Sequence, residues 1–383
     1  MQQTLRPYVT AGIVMVGSGL VAVTPAATPV AEVSVVRDVA LTADGGIVGS
    51  LLGTWQDVWN ATSDNVSRLL QNYYLAPNVS FQQFLANQGD FWQQVFDDPT
   101  KLNSVMAQMQ DNLEKVLTGY SLGGASDETI ATVQNHMLSA GDGATDLLGH
   151  IGLVQLLPQF LPAGIDPAMV TPIVNFLSSP LSGMIMGMIG PGISPWVALL
   201  NSIEANDSFT DTLANMSGAF FNGATLSLDS LLPLINHAGF FPPGLSMEHL
   251  DIAFGGLFTP GSVAVGPYEV LGTGGQVADS VPAVGGSIFN SIGLDLGGVP
   301  LLGSLSIASQ AIGPIGSWLA WDQTIGALLG SGWDGKGPVV VTPPGAGIDL
   351  PNIPDVPPPD ISDTDPGSSL STDWLGDFFG LFS

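Results

Sequence analysis

The chain has 383 residues, of which 33 are acidic and only 6 basic, giving a formal net charge of −27. Phosphate neutralisation needs clustered Lys and Arg, so this balance excludes nucleic acid as a partner and excludes capture by anionic lipid through charge. Charged residues make up 10% of the chain and hydrophobic ones 45%, so the surface has to be unusually neutral; the absence of cysteine rules out disulfides and thiolate metal sites.

Residues 1–31 read as a secretory signal peptide. Arg6 supplies the positive start and Ala11 to Val23 the apolar core, and Thr24, Ala26, Ala27 and Ala31 are small enough for cleavage. A helical domain is expected over 32–258. Arg37 to Ser50 reads as a loop ahead of an amphipathic helix, in which Trp55, Val58, Trp59, Val66, Leu69, Leu70 and Tyr73 recur at helical spacing. Ser80 is the expected cap of a second helix carrying Phe81, Phe84, Leu85, Trp92, Val95 and Phe96, with a glutamine-rich opposite face. Asp98-Pro99 restarts the chain into a third helix with Leu102, Val105, Met106, Met109, Leu113, Val116 and Leu117 on one stripe. Ser126-Asp127-Glu128 opens a fourth that runs to Met137. These aromatic and methionine stripes are expected to face a core.

Leu147 to Ile203 is the most apolar stretch, and Asp166 is its only formally charged residue. Its prolines, Pro158, Pro162, Pro167, Pro172, Pro180, Pro191 and Pro195, predict a series of short helices rather than one long helix. Gly183 and Gly187 form a G-x-x-x-G pair with Gly190 one turn on, interleaved with Met184 and Met188; small residues at this spacing let another element approach closely. These five residues are the candidate helix-packing or membrane positions. Met169 to Ile189 is long enough to cross a bilayer but contains Asn175, Pro172, Pro180 and several hydroxyls, so a buried helical core is the first expectation and membrane contact the second.

A helix over about Asp207 to Asn222 follows, with Phe209, Leu213, Met216 and Phe220 facing inward, and then shorter helices at Leu226 to Ile235 and Met247 to Phe254. A mixed Gly/Pro-rich region is expected over 259–337. Ser262–Val265, Tyr268–Leu271 and Ser287–Phe289 look like strands there, and Ile315 to Leu329 reads as a helix. Residues 338–371 predict a disordered, acidic, proline-rich linker, and 372–383 a short aromatic terminal segment. The expected class is therefore mainly α, a bundle of amphipathic and apolar helices with a few short strands late in the chain.

No catalytic constellation emerges. There is no G-x-S-x-G elbow and no H-E-x-x-H; His136, His150, His237 and His249 read as helix-surface or capping residues. Gly330-Ser331-Gly332-Trp333-Asp334-Gly335 matches G-x-G-x-x-G but follows a helix instead of a strand, so it reads as a turn. Asp360, Asp363 and Asp365 lack the spacing and terminal glutamate of an EF-hand. No enzyme activity, cofactor or metal is expected.

Several phrases taken together carry a resemblance: the opening MQQTLRPYVTAGIVMVGSGLVAVTP, then NFLSSPLSGMIMGMIGPGISPWVALLNSI, DIAFGGLFTPGSVAVGPYEVL, VPAVGGSIFNSIG and AIGPIGSWLAWDQTIGALLGSGWDGK. In this order they resemble the mycobacterial outer-membrane porin family labelled GjpA, from Met1 to about Lys336. The resemblance implies an exported, channel-forming protein of the mycolic-acid outer membrane, with outer-membrane lipid and other copies of the chain as partners; it carries no catalytic or pore residue to this sequence. The period of 3.6 in the first half does not fit a membrane barrel, which needs alternating segments of about ten residues. A pore wall would have to be helical or built by several copies, and the carboxylate excess predicts a preference for small cations. The alternative reading is a secreted or surface-associated helical protein with a structural or protein-binding role.

Overall fold

A computed structural model describes residues 47–75, 77–141, 148–161, 166–238, 241–261, 268–271, 277–281, 283–299 and 303–331. The expected signal peptide, the linker over 338–371, the terminal aromatic segment, the strand at Ser262–Val265 and most of the Gly330–Gly335 match lie outside the described residues.

The first helix, α1 (Ile47–Leu75), starts inside the expected loop. Then come α2 (Val79–Asp97), a 3-10 turn at Pro99–Lys101 capped by Asp98, α3 (Leu102–Gly119) and α4 (Asp127–Met137). Ser126 caps α4 as expected, accepting from the Thr129 amide. Ser80 does not cap α2. The residue before that helix is Asn78, in a left-handed conformation with no side-chain cap. Its orphan amides are met from 240 residues away: Asp322 accepts from the amides of Val79 (2.9 Å) and Ser80 (3.3 Å) and from the Ser80 hydroxyl. Burial raises the Asp322 carboxyl above its usual range, and these donors act against that rise.

The apolar stretch forms α5 (Gly149–Phe160), α6 (Pro167–Leu177) and α7 (Pro180–Ala205). The prolines cut it less often than the sequence reading predicted. Pro167 and Pro180 open α6 and α7 at the first helical turn, where no amide donor is needed. Pro191 and Pro195 ride inside α7, which stays continuous over 26 residues. Gly190, directly before Pro191, has no Cβ to meet the ring.

After α8 (Phe209–Asn222) the chain turns into strands earlier than expected. A four-stranded antiparallel sheet has the order β1 (Ala224–Ser227), β2 (Ser246–Phe254), β5 (Ile292–Val299), β6 (Gly303–Ile307). A short α9 (Leu232–His237) lies between β1 and β2. The helix expected at Met247–Phe254 is thus a strand, and Leu250, Ile252 and Phe254 do alternate along it. Ser287–Phe289, expected as a strand, is a turn. Tyr268–Leu271 is a strand as expected, β3, paired with β4 (Val277–Val281) in a separate hairpin. The last described helix is α10 (Pro314–Leu328). The fold is mainly α with a small antiparallel sheet towards the C-terminal half, and that sheet straddles residue 259.

Two apolar clusters hold these elements. One joins Leu69, Val133, Met137, Met186, Val284, Ile312, Leu319 and Leu328; the other joins Leu138, Leu153, Phe289, Leu296, Leu305 and Ile307. Inside the first, Gln323 of α10 donates to Asn72 of α1 at 2.7 Å and accepts from the Val284 amide at 2.7 Å. Buried amides satisfied in this way specify one packing arrangement.

The contact that sets the rest is α7 against backbone. A Cβ at Gly187 would lie 2.7 Å from the Gly313 carbonyl oxygen and 2.9 Å from Ser317 Oγ. One at Gly183 would collide with the Gly286 carbonyl, and one at Gly190 with the Gly255 carbonyl. Gly192, on the opposite side, meets nothing within 4 Å. The two positions should therefore respond oppositely. Gly187→Ala should destabilise the protein by about 1–3 kcal/mol through overpacking, and Gly192→Ala should stabilise it by about 0.5–1 kcal/mol through helix propensity. Urea unfolding of both variants checks the pair.

Candidate membrane-contact surface

The two sides of α7 are opposite in size. Buried positions are Ser182, Gly183, Met186, Gly187, Gly190, Pro191, Ser194, Val197, Ala198 and Ser202. Exposed positions recur at helical spacing as Ile185, Met188, Ile189, Gly192, Ile193, Trp196, Leu200 and Ile203. A helix in a water-soluble core does the reverse, turning its large apolar residues inward and small polar ones outward. Here most of the small residues face protein, together with Met186, Pro191 and Val197, and most of the large ones face out, with Met188 76% and Trp196 64% exposed. Small residues at packing interfaces with bulky apolar ones elsewhere is the arrangement of helices that meet lipid.

The buried serines need no water. Ser182 Oγ donates to the carbonyls of Leu177 (2.7 Å) and Ser179 (2.8 Å), Ser194 Oγ to Gly255 (3.1 Å), and Ser202 Oγ accepts from Asn215 Nδ2 (3.0 Å). Of the five candidate residues, Gly183, Gly187 and Gly190 are packing contacts, though against glycine-bearing loops and the start of α10 and not against another helix's side. Met184 is half-buried, its sulfur 3.4 Å from the Tyr120 hydroxyl that donates to it, and Met188 is on the outward stripe. The buried-core expectation for this segment is right for one face and wrong for the other.

The outward stripe does not stand alone. Met169, Ile173 and Phe176 of α6 are exposed, as is Phe209 at the start of α8. The stripes of α1 to α3 and α8 were expected to face a core, and many of their residues do not. Trp55, Trp59, Phe81, Phe84, Trp92, Phe96, Leu102, Met106, Leu113, Leu117, Leu213 and Phe220 are exposed, while Leu69, Phe91 and Val105 are buried. The reason is geometric. These helices touch their neighbours along narrow seams, such as Val58 against Gly218 and Val79 against Gly326. The rest of each stripe has nothing over it among the described residues. Exposed apolar side chains in this number make these faces candidates for meeting a membrane or a partner.

The titratable groups form two arrangements. Ser139 Oγ lies 2.7 Å from His150 Nδ1, and His150 Nε2 lies 2.7 Å from the Ile292 carbonyl. That carbonyl can only accept, so Nε2 carries hydrogen and Nδ1 accepts from the serine. Both residues are fully buried, contrary to the surface role expected of His150, and the pair ties the start of α5 to β5. It is closed to any substrate. His136 is fully buried too.

The second arrangement is His249 on β2. Its Nδ1 is 2.9 Å from Asp229 and its Nε2 3.0 Å from Asp251, and Asp295 is its cross-strand partner on β5. The Asp251 bond and then the Asp229 bond raise the imidazole above its ordinary value of 6.5. The amide of Leu250, donating at 3.0 Å, holds Asp229 low. Two carboxylates bonded to both ring nitrogens require the imidazolium. Sequence reasoning missed this bracket because Asp229 is twenty residues away. Two concavities are the best formed among the described residues: one open along α3, lined by that single helix, and a groove of about 110 Å³ between α5 and α6 lined by Val154, Leu157, Val170 and Val174. The groove is smaller than the ~300–1,000 Å³ of ordinary ligand pockets.

No family model, curated protein or solved structure matches the chain.

The bracket gives a pH signature. A raised histidine stabilises the fold fully below its ordinary value, and that contribution fades as pH rises through the raised value. The stability gap between the native chain and His249→Gln should therefore be larger near pH ~5.5 than near pH ~8.5. Denaturant midpoints at the two values measure it.

Proposed function

We propose that this chain is an exported cell-envelope protein that lodges against outer-membrane lipid through the outward face of α7, extended by α6. The observation that carries the reading is the reversal of α7, with glycine and serine against protein and Ile185, Met188, Ile193, Trp196, Leu200 and Ile203 outward. Removing such side chains from water contributes on the order of 1 kcal/mol each even when they are only partly covered, enough over one stripe for stable attachment. Residues 1–31, with Arg6 before an apolar core, support export. The His150 and His249 arrangements act as structural ties, and the reading is therefore one of action by contact.

The family resemblance adds channel formation, and the formal charge of −27 favours it in one respect, since acidic linings select cations. The described strands form a four-stranded sheet and a two-stranded hairpin, far short of a barrel, so a conduit for small cations would be walled by helices from several copies. The contrasting reading, a secreted helical interaction protein, has the same exposed apolar surface meeting another protein.

Fractionation of cells producing the tagged protein tests the proposal. The processed protein should sediment with the envelope, resist extraction by salt and dissolve in mild detergent. Recovery in the soluble culture fluid as a monodisperse species would contradict it. In planar bilayers, cation-selective conductance steps would support the channel step; silent bilayers would remove that step alone.

A further inference from the structure

We propose that the outward stripe of α7 docks on a lipid surface whose headgroups carry no net charge, with the helix lying along that surface instead of crossing it; this deepens, and rests on, the lipid-contact reading above. The first argument is charge. Glu204, next to the C-terminal end of α7, is the helix's single charged side chain, and α7 carries no basic one. Arg68, Lys101 and Lys115 are the basic residues within the described parts, and Lys115 is engaged by Asp111 at 3.0 Å and Glu128 at 3.7 Å. A protein of net charge −27 is repelled by an anionic leaflet, and no basic cluster offsets that repulsion. The surface that complements an uncharged apolar stripe is an uncharged one.

The second argument is tryptophan. Trp55, Trp59, Trp92, Trp196 and Trp318 are each 45–74% exposed. An indole has an apolar body and one N–H donor, so it is most stable at the headgroup level, where one end is dry and the other wet. Trp196 occupies the middle of the stripe and not its end, which suits a helix parallel to the surface.

The third argument is what lies behind α7. The helix spans about 39 Å at 1.5 Å per residue, long enough to cross. Its inner face, however, is locked to the loops at Gly255, Gly286 and Gly313, and α8 packs along it. Sinking α7 upright would carry these elements into hydrocarbon, with Asp207 and Asp211 beside its C-terminal end and Glu248, His249 and Asp251 on the sheet. Burying those charges is prohibitive. Laid flat, α7 enters lipid with its outward stripe alone.

Flotation of the purified full-length protein with vesicles tests this, using phosphatidylcholine vesicles and vesicles with added phosphatidylglycerol, each at low and high salt. The expected result is flotation with phosphatidylcholine that salt does not weaken and that phosphatidylglycerol does not improve. Met188→Glu combined with Trp196→Glu should lower the partition constant about tenfold or more. Both positions are exposed, so circular dichroism should be unchanged. Brominated lipids provide a measurement that needs no variant, with strongest tryptophan quenching expected from bromines near the headgroups. Preference for the anionic vesicles, or release by salt, would overturn the uncharged-surface assignment while leaving lipid contact standing. Strongest quenching from the bilayer centre would overturn the flat orientation. A lipid-free dimer that the double substitution dissociates, with flotation unchanged, would make a second copy the occupant and overturn the proposal. No flotation with any vesicle would remove the lipid-contact reading itself.

Discussion

Backbone packed directly on backbone along α7 is the constraint on which the rest of this structure depends. Gly183, Gly187 and Gly190 bring the helix axis so close to the loops at Gly286, Gly313 and Gly255 that a single added methyl at any of them would meet a carbonyl. The loops that α7 meets are packed as closely on one another: a Cβ at Gly255 would strike the Ile312 carbonyl, and one at Gly313 the Gly256 carbonyl. The late glycines therefore serve two approaches, loop on loop through their own missing Cβ and helix on loop through the small stripe of α7. Once that side is fixed, the bulky residues of α7 have only the outside to occupy.

The proposed lipid contact rests on this inversion and not on a cleft. Two of the histidines that the sequence reads as helix-surface or capping residues tie segments together: His150 joins α5 to β5, and His249 joins the turn at Asp229 to β2. Polar side chains elsewhere do similar work, as where Asn222 donates to Thr62 and accepts from Asn65 to hold α8 on α1. With much of the polarity spent internally and only Glu204 charged on α7, the large apolar surface among the described residues calls for an external counterpart.

Much of the fold was legible in the sequence, because period and caps are local. The stripe from Leu102 to Leu117, the Ser126 cap and the helix after Gly313 all reappear. What a period cannot state is the environment of the face it defines. Trp59 and Leu69 share one stripe, yet one is 74% exposed and the other 6%. The strand β2 reads as a helix in the sequence because Met247, Glu248 and Ala253 break the alternation that Leu250, Ile252 and Phe254 make with His249 and Asp251. The cap on α2 was invisible for a different reason: Asp322 is remote in sequence, and nothing near Val79 signals it. The proline count misled in α7, which runs on through Pro191, where Gly190 spares the ring a Cβ, and through Pro195, where no local feature of the sequence signals it. The candidate glycines were legible as a close-packing stripe; their partners, three loops from the far end of the chain, were not.

The chain's lack of cysteine allows the central claim to be tested one residue at a time. Single cysteines placed at successive positions from Leu181 to Ile203 can be probed with a water-soluble maleimide in intact envelopes and again after mild detergent extraction with the fold retained. The account predicts a helical period: positions 185, 188, 189, 193, 196, 200 and 203 protected in envelopes and exposed to label after extraction, with the buried positions 182, 194, 198 and 202, which already carry a side chain, refractory in both. Equal labelling of the outward positions in envelopes and in free solution would contradict it.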